Sequence, residues 1–147
     1  MMLPLIALSA GLLLAQADDV KKELDKIQGT WVAATYDVNG MKPPADIVQT
    51  IKFVCTGNKY EQSMQGQVVE KGTHKLDPSK KPKHMDISVT EGDAKGQTQL
   101  AIYEFDGDTL KICANLPGSK ERPTEFASKP GSSNVIYIVL KREKKDK

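Results

Sequence analysis

The sequence predicts an all-β fold: a single eight-stranded antiparallel barrel with a short N-terminal helix. From Gly29 onward, apolar and polar residues alternate with a period of two, which is typical of strands that bury one face. Turn residues recur about every eight to twelve positions, and no long helical pattern separates the alternating segments. An up-and-down meander of eight strands closes most simply into a barrel, because closure leaves no exposed strand edge.

A short amphipathic helix is predicted over residues 18–28. Val20, Leu24 and Ile27 follow one another at helical spacing, so they form one apolar stripe that can pack on the barrel. Gly29 suits the position just past the C-terminus of this helix, where glycine is common.

The eight predicted strands follow one another in chain order, and short turns join most of them. Asp106-Gly107, for example, is a pair that favours a type I′ hairpin turn. The strands are predicted at residues 30–37, 50–55, 59–64, 67–76, 83–90, 97–105, 108–114 and 135–142.

One connection, residues 115–134, is much longer than the others. Loops of this length in compact domains are usually functional or contain a short element of their own. Two interpretations are open: residues 123–126 add a ninth short strand, or the loop folds over the barrel mouth with Phe126 as its contact. Arg122 and Phe126 are candidates for the rim of the barrel.

Alternation also predicts which side chains point into the barrel. An eight-stranded barrel is filled by side chains or holds one small ligand, so each inward residue is either core or ligand contact. The predicted interior residues are Trp31, Ala33, Ile51, Phe53, Tyr103, Phe105, Leu110 and Ile112. The predicted ligand-binding residues are Trp31, Phe53, Tyr103, Phe105, Arg122 and Phe126.

Residues 1–17 predict a cleaved export signal. They carry no charged side chain, contain a leucine-rich apolar run and end in Ala-Gln-Ala directly before Asp18. This run is shorter than the about 20 apolar residues that span a bilayer. We therefore expect a mature chain that begins near Asp18 and works in the periplasm or outside the cell, without a transmembrane segment. Its barrel domain would span residues 18–142, followed by a charged tail at 143–147.

Composition argues against several classes of partner and site. The chain has 21 basic and 19 acidic side chains, so its surface is of mixed charge and we expect no nucleic-acid partner. His74 and His84 lie on separate predicted strands and are expected to face solvent, without the ligand spacing of a metal site. No cofactor is indicated, and protein partners are left open.

The common sequence signals of catalysis are also missing. The chain contains no Gly-x-Ser-x-Gly motif and no glycine-rich phosphate loop. Several strand carboxylates alternate with apolar residues and are expected on the solvent face. These carboxylates are Glu61, Glu70, Asp86 and Glu104. We therefore predict that the protein is not an enzyme.

Two cysteines, Cys55 and Cys113, leave two alternatives open. In an exported protein they could form a disulfide bond, which would stabilise the fold by about 4 kcal/mol for a loop of this length. Each lies within a strand pattern, however, where a buried free thiol behaves as a small apolar side chain.

The sequence around Gly29, Trp31 and Arg142 resembles the lipocalin arrangement. In lipocalins, a Gly-x-Trp motif opens the first strand, and a basic side chain from near the last strand covers the tryptophan. A guanidinium stacked on the indole excludes water from the closed end of such a barrel. The resemblance therefore implies structural roles for these three residues.

Longer stretches are similar to a family of small, uncharacterised lipocalin-like domains in exported proteins of planctomycete bacteria. The matching stretches are residues 24–31, 70–82, 103–113 and 122–131. This similarity implies a lipocalin-like barrel, and it implies no activity.

The predicted fold leads to two hypotheses about function. The first is a binding module that holds a small apolar or amphipathic molecule inside the barrel. The second is a filled barrel that acts as a protein–protein or envelope-matrix interaction domain. The first requires a contiguous internal cavity of about 300 Å³ or more, whereas the second has a packed centre.

Overall fold

The computed structural model describes residues 6–131 and 135–144, and it shows a closed barrel of eight antiparallel strands. The strands are β1 (Gly29–Val38), β2 (Lys52–Thr56), β3 (Lys59–Met64), β4 (Gln67–Asp77), β5 (Lys83–Glu91), β6 (Thr98–Asp106), β7 (Thr109–Asn115) and β8 (Val135–Arg142). Each strand pairs with the next one along the chain, and β8 pairs back with β1. The predicted fold class, an all-β lipocalin-like barrel, is confirmed.

The strands lie where the alternating pattern predicts them, with small differences at their ends. The largest difference is at β2, which begins at Lys52 instead of residue 50. An unpredicted short helix, α2 (Ala45–Val48), precedes it. The amides of Thr50 and Ile51 still hydrogen-bond to carbonyls of this helix, so they are not free to join the sheet.

The N-terminal helix, α1 (Ile6–Ile27), is longer than the segment predicted at residues 18–28. Alanine and leucine, both strong helix formers, dominate its first half, and no proline interrupts it. The helix ends before Gly29, whose φ of +112° is rarely adopted by residues with a side chain.

The two ends of the chain are described in part. Residues 1–5 of the predicted export signal and residues 145–147 of the predicted tail lie outside the described residues. Within the described ranges, no helix is long and apolar enough to cross a membrane.

Helix α1 closes one end of the barrel. Trp31 is fully buried, and its indole N–H donates to the Ile27 carbonyl of α1 at 2.8 Å. The Arg142 guanidinium lies over the indole, 4.3 Å from the ring centroid. It also donates to the carbonyl oxygens of Gln28 and Lys26, at 2.6 Å each. Arg142 thus ties the end of α1 to the last strand, in the position that the lipocalin resemblance implies.

Glu23 fastens α1 to the barrel wall at the same end. It is 5% exposed, and its carboxylate accepts hydrogen bonds from Lys83 at 2.9 Å and Tyr103 at 3.1 Å. Burial alone would raise the pKa of Glu23, but the hydrogen bonds and the Lys83 charge hold it below its usual value. The carboxylate is therefore ionised near neutral pH and acts as a structural link.

The long connection between β7 and β8 forms no ninth strand at residues 123–126. Its first residues, Leu116 and Pro117, line the cavity, whereas Arg122 and Ala127 further along contact the outer wall. Arg122 donates to the Ala101 carbonyl at 2.7 Å and forms an ion pair with Asp86 at 2.6 Å, so it is held on the outer wall and not at the rim. The ninth strand is wrong because barrel closure leaves β7 and β8 no free edge to pair with. Residues 132–134 lie outside the described residues.

The two cysteines are free and buried, and they lie on opposite faces of the barrel wall. Cys55 lines the interior. Cys113 faces outward, where its thiol contacts the Ala127 carbonyl of the long connection at 3.6 Å. A disulfide bond would have to pass through the sheet, so the structure supports the free thiols and not the bond.

Candidate ligand-binding cavity

The barrel encloses a cavity of about 470 Å³. Ile27 of α1 forms its floor, and Asp93, Leu116 and Pro117 line it near the opposite end, where two connections between strands meet. Most of the wall is apolar. Its larger side chains include Phe53, Met85, Ile87, Leu110, Ile112 and Ile138. This volume falls within the range of about 300–1,000 Å³ that is usual for small-molecule sites.

A group of polar side chains interrupts the apolar wall on one side. This polar cluster consists of Tyr36 from β1, Tyr60 and Gln62 from β3, and Glu70 and His74 from β4. The Tyr60 hydroxyl donates to Glu70 Oε2 at 2.8 Å. Its ring stacks on the His74 ring, with centroids 6.3 Å apart and planes 22° from parallel. The cavity therefore has one polar side, and the rest of its lining is mostly apolar, with Gln99 of β6 and Asp93 as its polar residues.

Glu70 faces the cavity because it is in phase with His74 along β4. A β-bulge at Val69 breaks this phase just before Glu70, and Val68 and Val69 are 52% and 43% exposed. The prediction that Glu70 faces solvent is therefore wrong. Strict alternation along β4 would place Val69 inward and Glu70 outward. The bulge at Val69 shifts the alternation, so that Glu70 faces inward instead.

The other carboxylates predicted on the solvent face do lie outside the cavity lining. Glu61 and Glu104 are exposed, and Glu61 forms an ion pair with Lys71 at 3.5 Å. Asp86 is engaged by Arg122 on the outer wall. Of the four carboxylates predicted on the solvent face, Glu70 is therefore the one that lines the cavity.

His74 is the second polar residue whose predicted position, on the solvent face, is wrong. It is 5% exposed and lines the cavity, and its Nε2 is buried with no hydrogen-bond partner in the described part of the chain. Burial lowers the pKa of His74, so the imidazole is neutral near neutral pH. A neutral imidazole with an unpaired ring nitrogen can offer a ligand one hydrogen bond inside the barrel.

Gly72 makes room for the Tyr60 ring. A Cβ atom at residue 72 would lie 2.7 Å from both Cε1 and the hydroxyl oxygen of Tyr60. The same Cβ atom would also clash with the backbone carbonyl oxygen of Ser88 on β5, so glycine at residue 72 lets β4 pack closely against both Tyr60 and β5.

Burial and neighbouring charge determine the protonation of the polar cluster. Burial raises the pKa of Tyr60, and the Glu70 charge raises it further. Burial also raises the pKa of Glu70, although the hydrogen bond from Tyr60 opposes this effect. Burial and the Glu70 charge raise the pKa of Tyr36 as well, which puts Tyr36 within electrostatic reach of the carboxylate. Among the described residues, Glu70 forms no ion pair.

Cys55 belongs to the wall of the cavity. Burial raises the pKa of its thiol to about 12, against the opposing effect of the Arg142 charge. The thiol is therefore protonated near neutral pH and lacks the thiolate character of a nucleophile. The arrangement of the cavity suits binding by shape, hydrogen bonds and charge.

One predicted ligand-binding residue, Phe53, lines the cavity. Trp31, Tyr103 and Phe105 instead pack together at the closed end. The Phe105 ring centroid lies 5.8 Å from that of Tyr103 and 6.3 Å from that of Trp31. These three residues are not among the cavity-lining side chains and serve the core.

The remaining predicted residues divide in the same way. Arg122 and Phe126 lie on the long connection and do not line the cavity, whereas Leu116 and Pro117 at the start of that connection do. The other predicted interior residues all belong to the barrel interior. Leu110 and Ile112 line the cavity, while Ala33 and Ile51 are buried in the core.

The described residues contain no group of three or more His, Cys, Asp or Glu side chains that could hold a metal ion.

No family model, no curated protein and no solved structure matches the chain. The class of protein is therefore defined by its own geometry: a lipocalin-like eight-stranded barrel with a partly polar internal cavity. The similarity to planctomycete domains stays a prediction.

Proposed function

We propose that this protein is an exported carrier that binds a small apolar or amphipathic molecule inside its barrel. The observation that carries the proposal is the cavity of about 470 Å³, most of whose wall is apolar. This volume exceeds the about 300 Å³ that a small-molecule site requires. A filled barrel, which the interaction-domain hypothesis assumes, would have side chains in this space.

The two sides of the cavity suggest how such a ligand would lie. Its apolar body would pack against the wall that includes Leu110, Ile112 and Ile138, because removing apolar surface from water is the main source of affinity. Its polar end would face Tyr60, Glu70 and His74, since an unpaired polar group inside the barrel is costly. Among these, the buried Nε2 of His74 needs a partner most.

Removal of the predicted export signal is compatible with the contacts by which α1 closes the barrel. The anchoring contacts of Glu23, Ile27 and Gln28 all come from residues after Ala17. Cleavage behind residue 17 would therefore leave the closed end intact. Intact-mass measurement of protein recovered from the periplasm or the medium of its host should give a chain that begins near Asp18. A full-length chain found in the cytoplasm would contradict export.

Ligand binding can be tested by native mass spectrometry of protein purified from its own host. We expect a small-molecule adduct that is released on denaturation. The variant Ala114→Phe places a ring in the cavity, because Ala114 lines it and is 4% exposed. Ala34→Phe makes the same change at an exposed position of β1 and serves as the control.

The adduct should be lost in Ala114→Phe and kept in Ala34→Phe. Repeated absence of any adduct from the unmodified protein would count against the carrier function. An adduct that both variants retain would show that the molecule binds outside the barrel.

A further inference from the structure

The charges that line the cavity restrict the chemistry of its ligand. Among the described residues, the lining contains two carboxylates, Glu70 and Asp93, and no lysine or arginine. Glu70 is half-buried in the wall, and Asp93 is exposed near the end opposite α1. His74, the remaining titratable base of the lining, is kept neutral by burial. The cavity therefore presents negative charge to its contents, without a protein cation to balance it.

Hydrogen-bond acceptors converge around Tyr60. Glu70 uses Oε2 to accept the Tyr60 hydroxyl, and no hydrogen bond within the described residues engages its other oxygen. The Tyr60 oxygen, which donates its proton to Glu70, keeps its lone pairs. His74, whose ring stacks on that of Tyr60, adds its unpaired Nε2, which accepts a hydrogen bond in the tautomer that carries its proton on Nδ1. An ammonium group, with several N–H donors and no acceptor, complements such a set.

Aromatic rings border the same position. The ring centroids of Phe53 and Tyr60 lie 6.4 Å apart, and Tyr36 lies within electrostatic reach of Glu70. The faces of aromatic rings attract cations, and this attraction grows when water is excluded. A carboxylate beside several rings is therefore suited to an organic cation.

We infer that the ligand of this cavity is an amphipathic amine, with its ammonium group held by Glu70 and its apolar body in the rest of the barrel. This inference rests on the proposed carrier function and gives it a substrate class. An anionic amphiphile such as a fatty acid would meet like charge from Glu70 and Asp93. A neutral alcohol would fill the same space but leave the half-buried carboxylate without a counter-ion.

The test compares three probes that share one alkyl chain: decylamine, decanol and decanoic acid. Each is titrated against the full chain loaded with the uncharged dye Nile red, and displacement gives its affinity. The amine should bind about tenfold or more tightly than the alcohol, which is the scale of one hydrogen bond to a charged group. The acid should bind most weakly.

Two variants with the same change in net charge locate the effect. Glu70→Gln keeps an acceptor for Tyr60 but removes the charge from the cavity, so the affinity ratio of amine to alcohol should fall toward one. Glu61→Gln removes a charge from the exposed face of the neighbouring strand β3 and should leave the ratio unchanged. Circular dichroism checks that both variants fold.

Equal affinity of the unmodified protein for amine and alcohol would overturn the amine assignment and leave the carrier function standing. An unchanged ratio in Glu70→Gln would overturn it as well. If that variant does not fold, the ratios among the three probes with the unmodified protein still decide the question. Failure of the dye and all three probes to bind would refute the carrier function and, with it, this inference.

Discussion

His74 places an unpaired polar atom inside the barrel. This atom lowers the free energy of unfolding of the ligand-free protein, so replacing His74 with an apolar residue should stabilise the fold. The substitution His74→Phe keeps a planar ring against Tyr60 and removes the buried Nε2. A buried polar group without a hydrogen bond costs about 1–3 kcal/mol. Phenylalanine is slightly larger than histidine, and the adjoining cavity has room for the difference. We expect the free energy of unfolding near neutral pH to rise by about 1–2 kcal/mol.

The same substitution should also change how stability depends on pH. Burial holds the pKa of His74 in the folded state below its usual value of 6.5, so the unfolded chain takes up the proton first as pH falls. The unmodified protein should therefore lose stability from about that pH downward, by up to about 1.4 kcal/mol per pH unit, until the folded-state pKa is reached. His74→Phe lacks this titration and should show a shallower loss.

Urea denaturation followed by the fluorescence of Trp31, the single tryptophan, measures both effects at neutral and mildly acidic pH. His84→Phe is the matched control, because His84 is half-buried on β5 and has no buried unpaired nitrogen. It should not stabilise the protein near neutral pH. Because burial and the Arg122 charge also lower the pKa of His84, this variant is the control for the neutral-pH effect and not for the pH slope. A His74→Phe variant that is less stable than the unmodified protein, with the same pH slope, would refute the reasoning.

The closed end of the barrel gives two further predictions. The folded-state pKa of Glu23 lies below its usual 4.5, so the stability that its carboxylate contributes is present above pH 4.5 and is lost as the pH falls through the folded-state pKa. In thermal melts, Glu23→Gln should show a smaller loss of stability at acidic pH. A pH profile equal to that of the unmodified protein would contradict this role of Glu23. Arg142→Leu should lower the free energy of unfolding by about 3 kcal/mol, because two carbonyls lose their donor and Trp31 loses its cover. The control is Lys141→Leu at an exposed neighbouring position, which should lower the free energy of unfolding in urea by less than about 0.5 kcal/mol. An equal loss of unfolding free energy in both variants would refute a special role of Arg142.

The strand pattern could be predicted from sequence because its signals are local. Period-two alternation and turn pairs such as Asp106-Gly107 act over a few residues, and barrel closure follows from the need to pair strand edges. The closed end could be anticipated for a related reason. Gly29-x-Trp31 is a short motif, and Arg142 lies at the end of the strand that pairs with Trp31.

The polar cluster has a sequence signal too, but that signal is ambiguous. Tyr60 and Gln62 share one face of β3, and Glu70 and His74 share one face of β4. Polar residues that line a cavity have the same period as polar residues that face solvent. The apolar residues at 68–69 lead to the wrong prediction that Glu70 faces solvent. The bulge that exposes both valines and reverses the alternation has no clear signal in the sequence.

Residue period and turn chemistry within short segments were enough to predict the type, number and order of the strands. The folded barrel was needed to show that Glu70 and His74 face inward, that Cys55 and Cys113 lie on opposite faces, and that Arg122 packs on the outer wall. Those features depend on register between strands and on which edges closure leaves free. Both are properties of residues far apart in the chain.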